Sequence, residues 1–316
     1  MQTLAAPDAP ESLASRLAAC RLCPRGCGVN RRQSARGFCR ADDSLAIASI
    51  TIHHGEEPVL GGGQGLCNVF FRHCNLACRY CQNHQIAENN SPLGPSQTLA
   101  EVTANIAAIL AQGIDTLGFV SPSHMLPQML AIIQALGKVG LKPTIVYNSN
   151  GYDRVDNLRA LENIVDIYLP DCKYMDAALA GRWSGAADYP QVVMAALKEM
   201  YRQKGNILHL DRRGVARRGM IVRHLVLPGA LKNTVAALDF IAHALSPKLH
   251  LSLMSQYRPT PQVADDPQLG RGVSIAEYRL ATETMERFGF QHGWAQEPDS
   301  ANWYNPDFTR KNPFSD

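Results

Sequence analysis

From about residue 98 the chain alternates between helical hydrophobic spacing and short apolar runs. Leu99, Val102, Ile106 and Leu110 fall on one face of a helix predicted over residues 98–112. An apolar run from Thr116 to Val120 follows, closed by Ser121 and Pro122. A helix around 125–138 leads to Pro143-Thr-Ile-Val-Tyr147, ended by Asn148-Ser-Asn-Gly151. Ile164 to Leu169, stopped by Pro170, reads as the next strand. A helical pattern over 190–203, a strand over 219–227 and a helix over 232–245 precede the strand His250 to Met254. Gly65 to Phe71 adds an earlier strand and brings the candidates to six. Helical segments separate most of them, which predicts an α/β chain with a parallel sheet of βαβ units. A closed or partly closed barrel suits these units better than an open sheet with two faces. The pattern divides the chain into a cysteine-rich module at 1–60, a barrel core at 61–265, and a C-terminal helix with an extended tail at 266–316.

Composition narrows the class. The 316 residues are 46% hydrophobic and 19% charged, enough to bury a sizeable core and contrary to general disorder. No apolar stretch approaches the ~20 residues of a membrane helix, so no membrane partner is expected. The first nineteen residues carry Asp8 and Glu11 and do not read as a secretory signal, so a cytoplasmic location is expected. A net charge of +3 does not by itself imply a nucleic-acid partner.

The cysteines change the picture. Eight of the nine lie before residue 82, too sparse in the whole chain for a disulfide scaffold and too bunched for independent core residues. Cys67 and Cys172 stand alone and read as small buried hydrophobes. Cys74, Cys78 and Cys81 form a C-x3-C-x2-C group immediately after the Gly65–Phe71 strand. Such thiolates can share a metal only on a loop that wraps it, and ligand sites in α/β sheets lie beyond the strand ends. Soft thiolates favour iron–sulfur clusters, zinc or copper(I). Three protein ligands leave one iron of a cubane open to an exogenous group. Three-cysteine zinc is the plainer alternative, for which His73 and His84 are the nearest further ligands.

This motif, with Tyr80 before the third cysteine, resembles the radical S-adenosylmethionine superfamily. Glu56-Glu-Pro58, Phe70-Phe71, Cys81-Gln-Asn83, Cys23-Pro-Arg25 and Gly37-Phe-Cys39 are similar to relatives of the pyruvate formate-lyase activating enzyme. The resemblance implies a partial (β/α)6 TIM-type barrel and a 4Fe-4S cluster on Cys74, Cys78 and Cys81. It implies S-adenosylmethionine as the second cofactor, with the aromatic Tyr80 beside its adenine. It further implies cofactor contacts near Ser121, where the family's acidic residue is missing and Ser123 or His124 could substitute. Asn150 would belong to an Asn-Gly turn, which has the ordinary meaning of a tight turn as well. Asp171 and Lys173 resemble the activases' Asp-x-Lys, and Arg223 on the fifth strand would offer a forked donor to a carboxylate or ribose. An Arg223 facing inward needs a partner.

The remaining group, Cys20, Cys23, Cys27 and Cys39, could close a tetrathiolate site, either zinc or a second iron–sulfur cluster. Six arginines from Arg21 to Arg40 interleave with it, but only Phe38 is aromatic there, so the stacking signature of nucleic-acid binding is weak. The basic run from Arg212 to Arg218 reads as a solvated hairpin tip. The expected activity is hydrogen abstraction from a protein, peptide or small molecule. The implied partners are an electron donor such as flavodoxin or ferredoxin, and a glycyl radical enzyme or other protein substrate. The rival reading keeps the barrel as a metal-stabilised binding or scaffold protein without radical chemistry.

Overall fold

The computed structural model describes residues 13–33, 35–298, 300, 305–310 and 312–314. Its strands are β1 (Ile47–His53), β2 (Leu66–Phe71), β3 (Thr116–Val120), β4 (Thr144–Ser149) and β5 (Ile167–Pro170). They continue with β6 (His209–Leu210), β7 (Ala216–Leu225), β8 (His250–Met254) and β9 (Gly293–Ala295). All nine belong to one mixed sheet in the order β1-β2-β3-β4-β5-β7-β8-β9, with β6 on the side of β7. Pairing from β2 through β9 is parallel, whereas β1–β2 and β6–β7 are antiparallel. The α/β chain is thus a partial TIM-type barrel whose ends, β1 and β9, do not pair among the described residues.

The six expected strands are β2, β3, β4, β5, β7 and β8. Residues 47–53, within the stretch grouped with the cysteine-rich module, form β1 and lengthen the sheet. The helix expected at 232–245 is α-helical from Leu231 to Phe240 and ends in a π turn, Ile241–Leu245. Four short helices escaped the pattern, Pro58–Gly61, His84–Ala87, Val155–Ala160 and Ala177–Ser184, each too short to show a clear hydrophobic period. The Leu99–Leu110 helix starts at a capping box in which Thr98 and Glu101 satisfy each other's backbone N–H groups.

The main apolar core fills the space between the strands and the helices. Val102, Ile106, Met129, Ile132, Leu197 and Met200 are all fully buried. Cys67 and Cys172 are likewise buried, as lone core cysteines should be. The basic run is a hairpin, but not one that is merely solvated. Arg217 is held by Asp115 and Asp211, with Nη2 to Asp211 at 2.7 Å. The tail is not simply laid over the surface. Phe308 and Phe314 pack on Phe70 with ring centroids 5.2 and 5.7 Å apart, and Phe314 lies 4.1 Å from the His53 ring. Among the described residues, no helix is long and apolar enough to cross a membrane.

Candidate active site at a three-cysteine loop

The parallel strands end on a cavity of about 700 Å3, within the range of small-molecule sites. Cys74, Cys78 and Cys81 line it, on the loop that leaves β2. Tyr80, Ser121 and Asn150 line it too, as do Asp171, Lys173 and Arg223. All nine residues singled out from the sequence for this site are therefore brought together. Ser123 and His124, the other substitutes at the end of β3, turn into the protein. Ser123 meets the Tyr147 hydroxyl at 3.4 Å, and His124 donates from Nε2 to the Arg72 carbonyl at 3.0 Å.

The loop is held from several sides. The Cys74 N–H donates to Asn89 Oδ1 at 3.0 Å, and Asn89 Nδ2 donates back to the Cys74 carbonyl at 3.0 Å. The Arg79 N–H donates to the Trp183 carbonyl at 2.8 Å, and Thr260 donates to the Arg79 carbonyl at 2.9 Å. Asn150, just after β4, donates to Asn75 Oδ1 at 2.8 Å and to Cys74 Sγ at 3.4 Å. The Leu76 N–H also approaches Cys74 Sγ at 3.4 Å. Two donors aimed at one sulfur suit a thiolate ligand, because hydrogen bonds stabilise its charge. Gly151 is needed for this turn. At φ +78° a Cβ would sit 2.3 Å from the Asp171 carbonyl oxygen and 2.8 Å from the Tyr189 hydroxyl.

Burial pushes the Cys78 and Cys81 thiols upward, reinforced by their mutual repulsion and opposed by Lys173. A bound metal is what would hold them as thiolates. Among the described residues no three Cys, His, Asp or Glu side chains stand in an arrangement that holds a single metal ion. His73, one of the nearest further ligands, is occupied, with its ring nitrogens 2.9 Å from the carbonyls of Cys39 and Ser91.

Tyr80 is almost fully buried and meets Tyr174, Trp183 and Tyr257 edge-on, at centroid distances of 6.3, 6.4 and 6.0 Å. Lys173 Nζ lies 2.6 Å from Asp171 Oδ2. Burial opposes the lysine's charge, but Asp171 and the nearby sulfurs outweigh it and hold the ammonium above its ordinary range. Arg223 comes from β7 and lies beside Asp171 through a parallel bridge. Its Nε and Nη2 grip Glu57 at 2.8 and 2.7 Å, and Nη2 also contacts Glu56. Glu56 accepts from Asn68 Nδ2 at 3.0 Å and faces His53 Nδ1 at 3.2 Å. Burial would raise the Glu56 carboxyl, yet Arg223 and His53 override it and hold it well below the usual range.

Glu56 and Glu57 are the site residues for which sequence reasoning assigned no role, although it quoted both within a motif. Only their contact with Arg223, 166 residues away, reveals them. Ser252, Gln256 and Gln296 complete a polar wall that no local pattern marked.

The other four cysteines do not join this cavity. Cys20, Cys23, Cys27 and Cys39 line a separate small one with Arg31 and His124, and all nine cysteines are free thiols.

Residues 68–210 match the family model described as the radical SAM superfamily. Over these residues the chain carries a radical SAM domain, and that superfamily works with a 4Fe-4S cluster and S-adenosylmethionine. It is 28% identical over 274 residues to the uncharacterized protein MJ0674 of Methanocaldococcus jannaschii, covering 85% of this chain and 75% of that one. SuiB of Streptococcus suis, a solved structure, aligns with 72% of this chain at 12% identity and a TM-score of 0.47. This chain spans 47% of the SuiB chain.

Proposed function

We propose that this protein is a radical S-adenosylmethionine enzyme of the activating type, with Cys74, Cys78 and Cys81 as the cluster ligands. The observation that carries the reading is the convergence of these cysteines with Tyr80, Asn150 and Lys173 on one cavity at the strand ends. When bound, the cluster and S-adenosylmethionine supply a one-electron cleavage of the sulfonium that yields a carbon radical able to abstract hydrogen.

The chain's own residues bind and orient. Asn150 keeps Cys74 in place and donates to its sulfur. Lys173, charged beside Asp171, offers a point charge to the cofactor's carboxylate. Tyr80 presents a rigid aromatic face braced by its three neighbours. Ser121 stands where relatives carry an acidic residue, and its polar groups are the ones at that strand end that line the cavity. Arg223 keeps two of its nitrogens on Glu56 and Glu57, so its first duty is to neutralise them.

The substrate we propose is a C–H bond of a protein, peptide or small molecule, with a glycyl radical enzyme as the activase likeness would have it. Electrons would come from flavodoxin or ferredoxin, the usual donors in this superfamily, in the cytoplasm. After anaerobic reconstitution and addition of dithionite, the protein should release 5′-deoxyadenosine and methionine. An intact cluster that releases neither under strong reductant overturns the reading and leaves the barrel as a scaffold.

A further inference from the structure

We propose that Cys20, Cys23, Cys27 and Cys39 close around a single zinc-type ion as a tetrathiolate. The ion would fix the N-terminal segment as a buttress for the Cys74–Cys81 loop. This goes beyond the radical chemistry and uses it only for one readout.

Local backbone geometry gathers the four. The Cys20 N–H donates to the Val29 carbonyl at 2.8 Å, and the Gly28 N–H donates to the Cys20 carbonyl at 2.9 Å, so the first three cysteines share one tight loop. The Phe38 N–H reaches Cys27 Sγ at 3.2 Å and brings the Cys39 segment across it. Gly37 permits that approach, since a Cβ there would lie 2.6 Å from the Cys27 sulfur. The four thiols then line one cavity of about 10 Å3. That is about one water-sized sphere, room for an ion and not for a four-iron cubane. A closed set of four soft thiolates suits zinc or an iron–sulfur cluster, and the small cavity selects the single ion. Among the described residues no three such ligands already stand in a metal-holding arrangement, so binding draws the four side chains inward.

Charge points the same way. Arg31 lines this cavity and is 1% exposed. Its partners are neutral: the carbonyls of Asp42 and His124 and the Met125 sulfur. The Asp42 carboxylate feels its charge but lies beyond ion-pair distance, so no direct ion pair holds Arg31 among the described residues. A buried guanidinium cannot discharge itself and needs a counter-charge. Zinc held by four thiolates carries a net charge of minus two and supplies it.

The buttress is seen in the bonds that leave the segment. Arg25, between Cys23 and Cys27, donates to the carbonyls of Asn75 and Leu76 at 3.0 and 3.4 Å, both within the three-cysteine loop. It also donates to the Ser184 carbonyl at 2.9 Å. The Cys39 carbonyl faces His73, next to Cys74, at 2.9 Å. The Phe38 carbonyl accepts from Asn89 at 3.1 Å, the side chain that clasps Cys74.

Metal analysis of the purified full chain tests both parts. The Cys74→Ala/Cys78→Ala/Cys81→Ala protein should lose its iron and keep one zinc, with four sulfurs at about 2.3 Å by X-ray absorption. Because that variant cannot do radical chemistry, a negative result here is separable from failure of the enzymatic reading. A folded triple variant without zinc, or one holding iron and labile sulfide at the four cysteines, overturns the site. The Arg25→Met protein leaves all four thiols intact. It should keep its zinc and retain at least threefold less iron after reconstitution and desalting. Undiminished iron in that variant overturns the buttress.

Discussion

Replacing Arg223 by methionine removes the guanidinium that grips two buried carboxylates. Arg223 is 13% exposed, Glu56 6% and Glu57 5% as side chains, so water cannot easily take its place. Removing one partner of a buried ion pair costs roughly 3–5 kcal/mol. An independent bound comes from neutralisation. Protonating one carboxyl of ordinary pKa near 4.3 at pH 7.5 costs about 4.4 kcal/mol, at 1.36 kcal/mol per unit. The two figures agree on about 4 kcal/mol. The sign with pH then follows. In the variant the carboxyl pKa is raised above its unfolded value, so stability is recovered as pH falls. Relative to the wild-type protein at each pH, about 2.7 kcal/mol should return between pH 7.5 and 5.5 for each proton taken up.

The assay is urea unfolding followed by circular dichroism under argon at both pH values. With an m value of about 3 kcal/mol per molar, the midpoint should drop by about 1.3 M at pH 7.5. The Glu56→Gln/Glu57→Gln/Arg223→Met protein should regain most of that loss, because no net charge remains buried. A loss below about 1 kcal/mol at pH 7.5, or a triple variant no better than Arg223→Met, would refute the argument.

Further outcomes follow from other parts of the site. Lys173→Ala should weaken S-adenosylmethionine binding roughly ten- to a hundred-fold, the value of one charge-assisted contact. Equilibrium binding at checked cluster content measures it. Asn150→Ala removes the donor to Cys74 Sγ and strands Asn75 Oδ1, so the cluster potential should move negative and stability should fall by about 1–3 kcal/mol. Potentiometry with EPR detection and an unfolding curve read the two effects. His124 and His224 are buried as neutral rings, and burial lowers them to about 3 and about 4. Their folded pKa values lie below the unfolded one, so their contribution is present above pH 6.5 and lost as pH falls. From pH 7.5 to 5.5 the pair should cost about 2.7 kcal/mol, and a His224→Gln protein should show about half that pH dependence.

The C-terminal ends of β3 and β5 were legible because polar or turn residues close their apolar runs, Ser121-Pro122 after the first and Pro170 at the second. The three-cysteine loop was legible because three cysteines within eight residues are a local signal. β1 was not, since its run of mostly half-buried positions follows directly on the arginine- and cysteine-rich segment and was grouped with it. The partners of Arg223 were beyond reach for a different reason. A strand phase can be guessed from its neighbours, but which carboxylates a buried arginine meets is decided by barrel closure. The same applies to Arg25, whose carbonyl acceptors lie about fifty and one hundred and sixty residues away. Both were visible as residues; their use is tertiary.

An incomplete barrel leaves a seam, and the seam has a hazard of its own. β1 ends the sheet with backbone groups that another chain could zip onto. Here Asn312 takes a hydrogen bond from Thr51 at 3.2 Å, and Phe314 covers His53. Those few C-terminal residues therefore lie against side chains of the edge strand as well as walling the cavity. A chain shortened before Phe308 should be judged by its tendency to aggregate before any change in its turnover is credited to the active site.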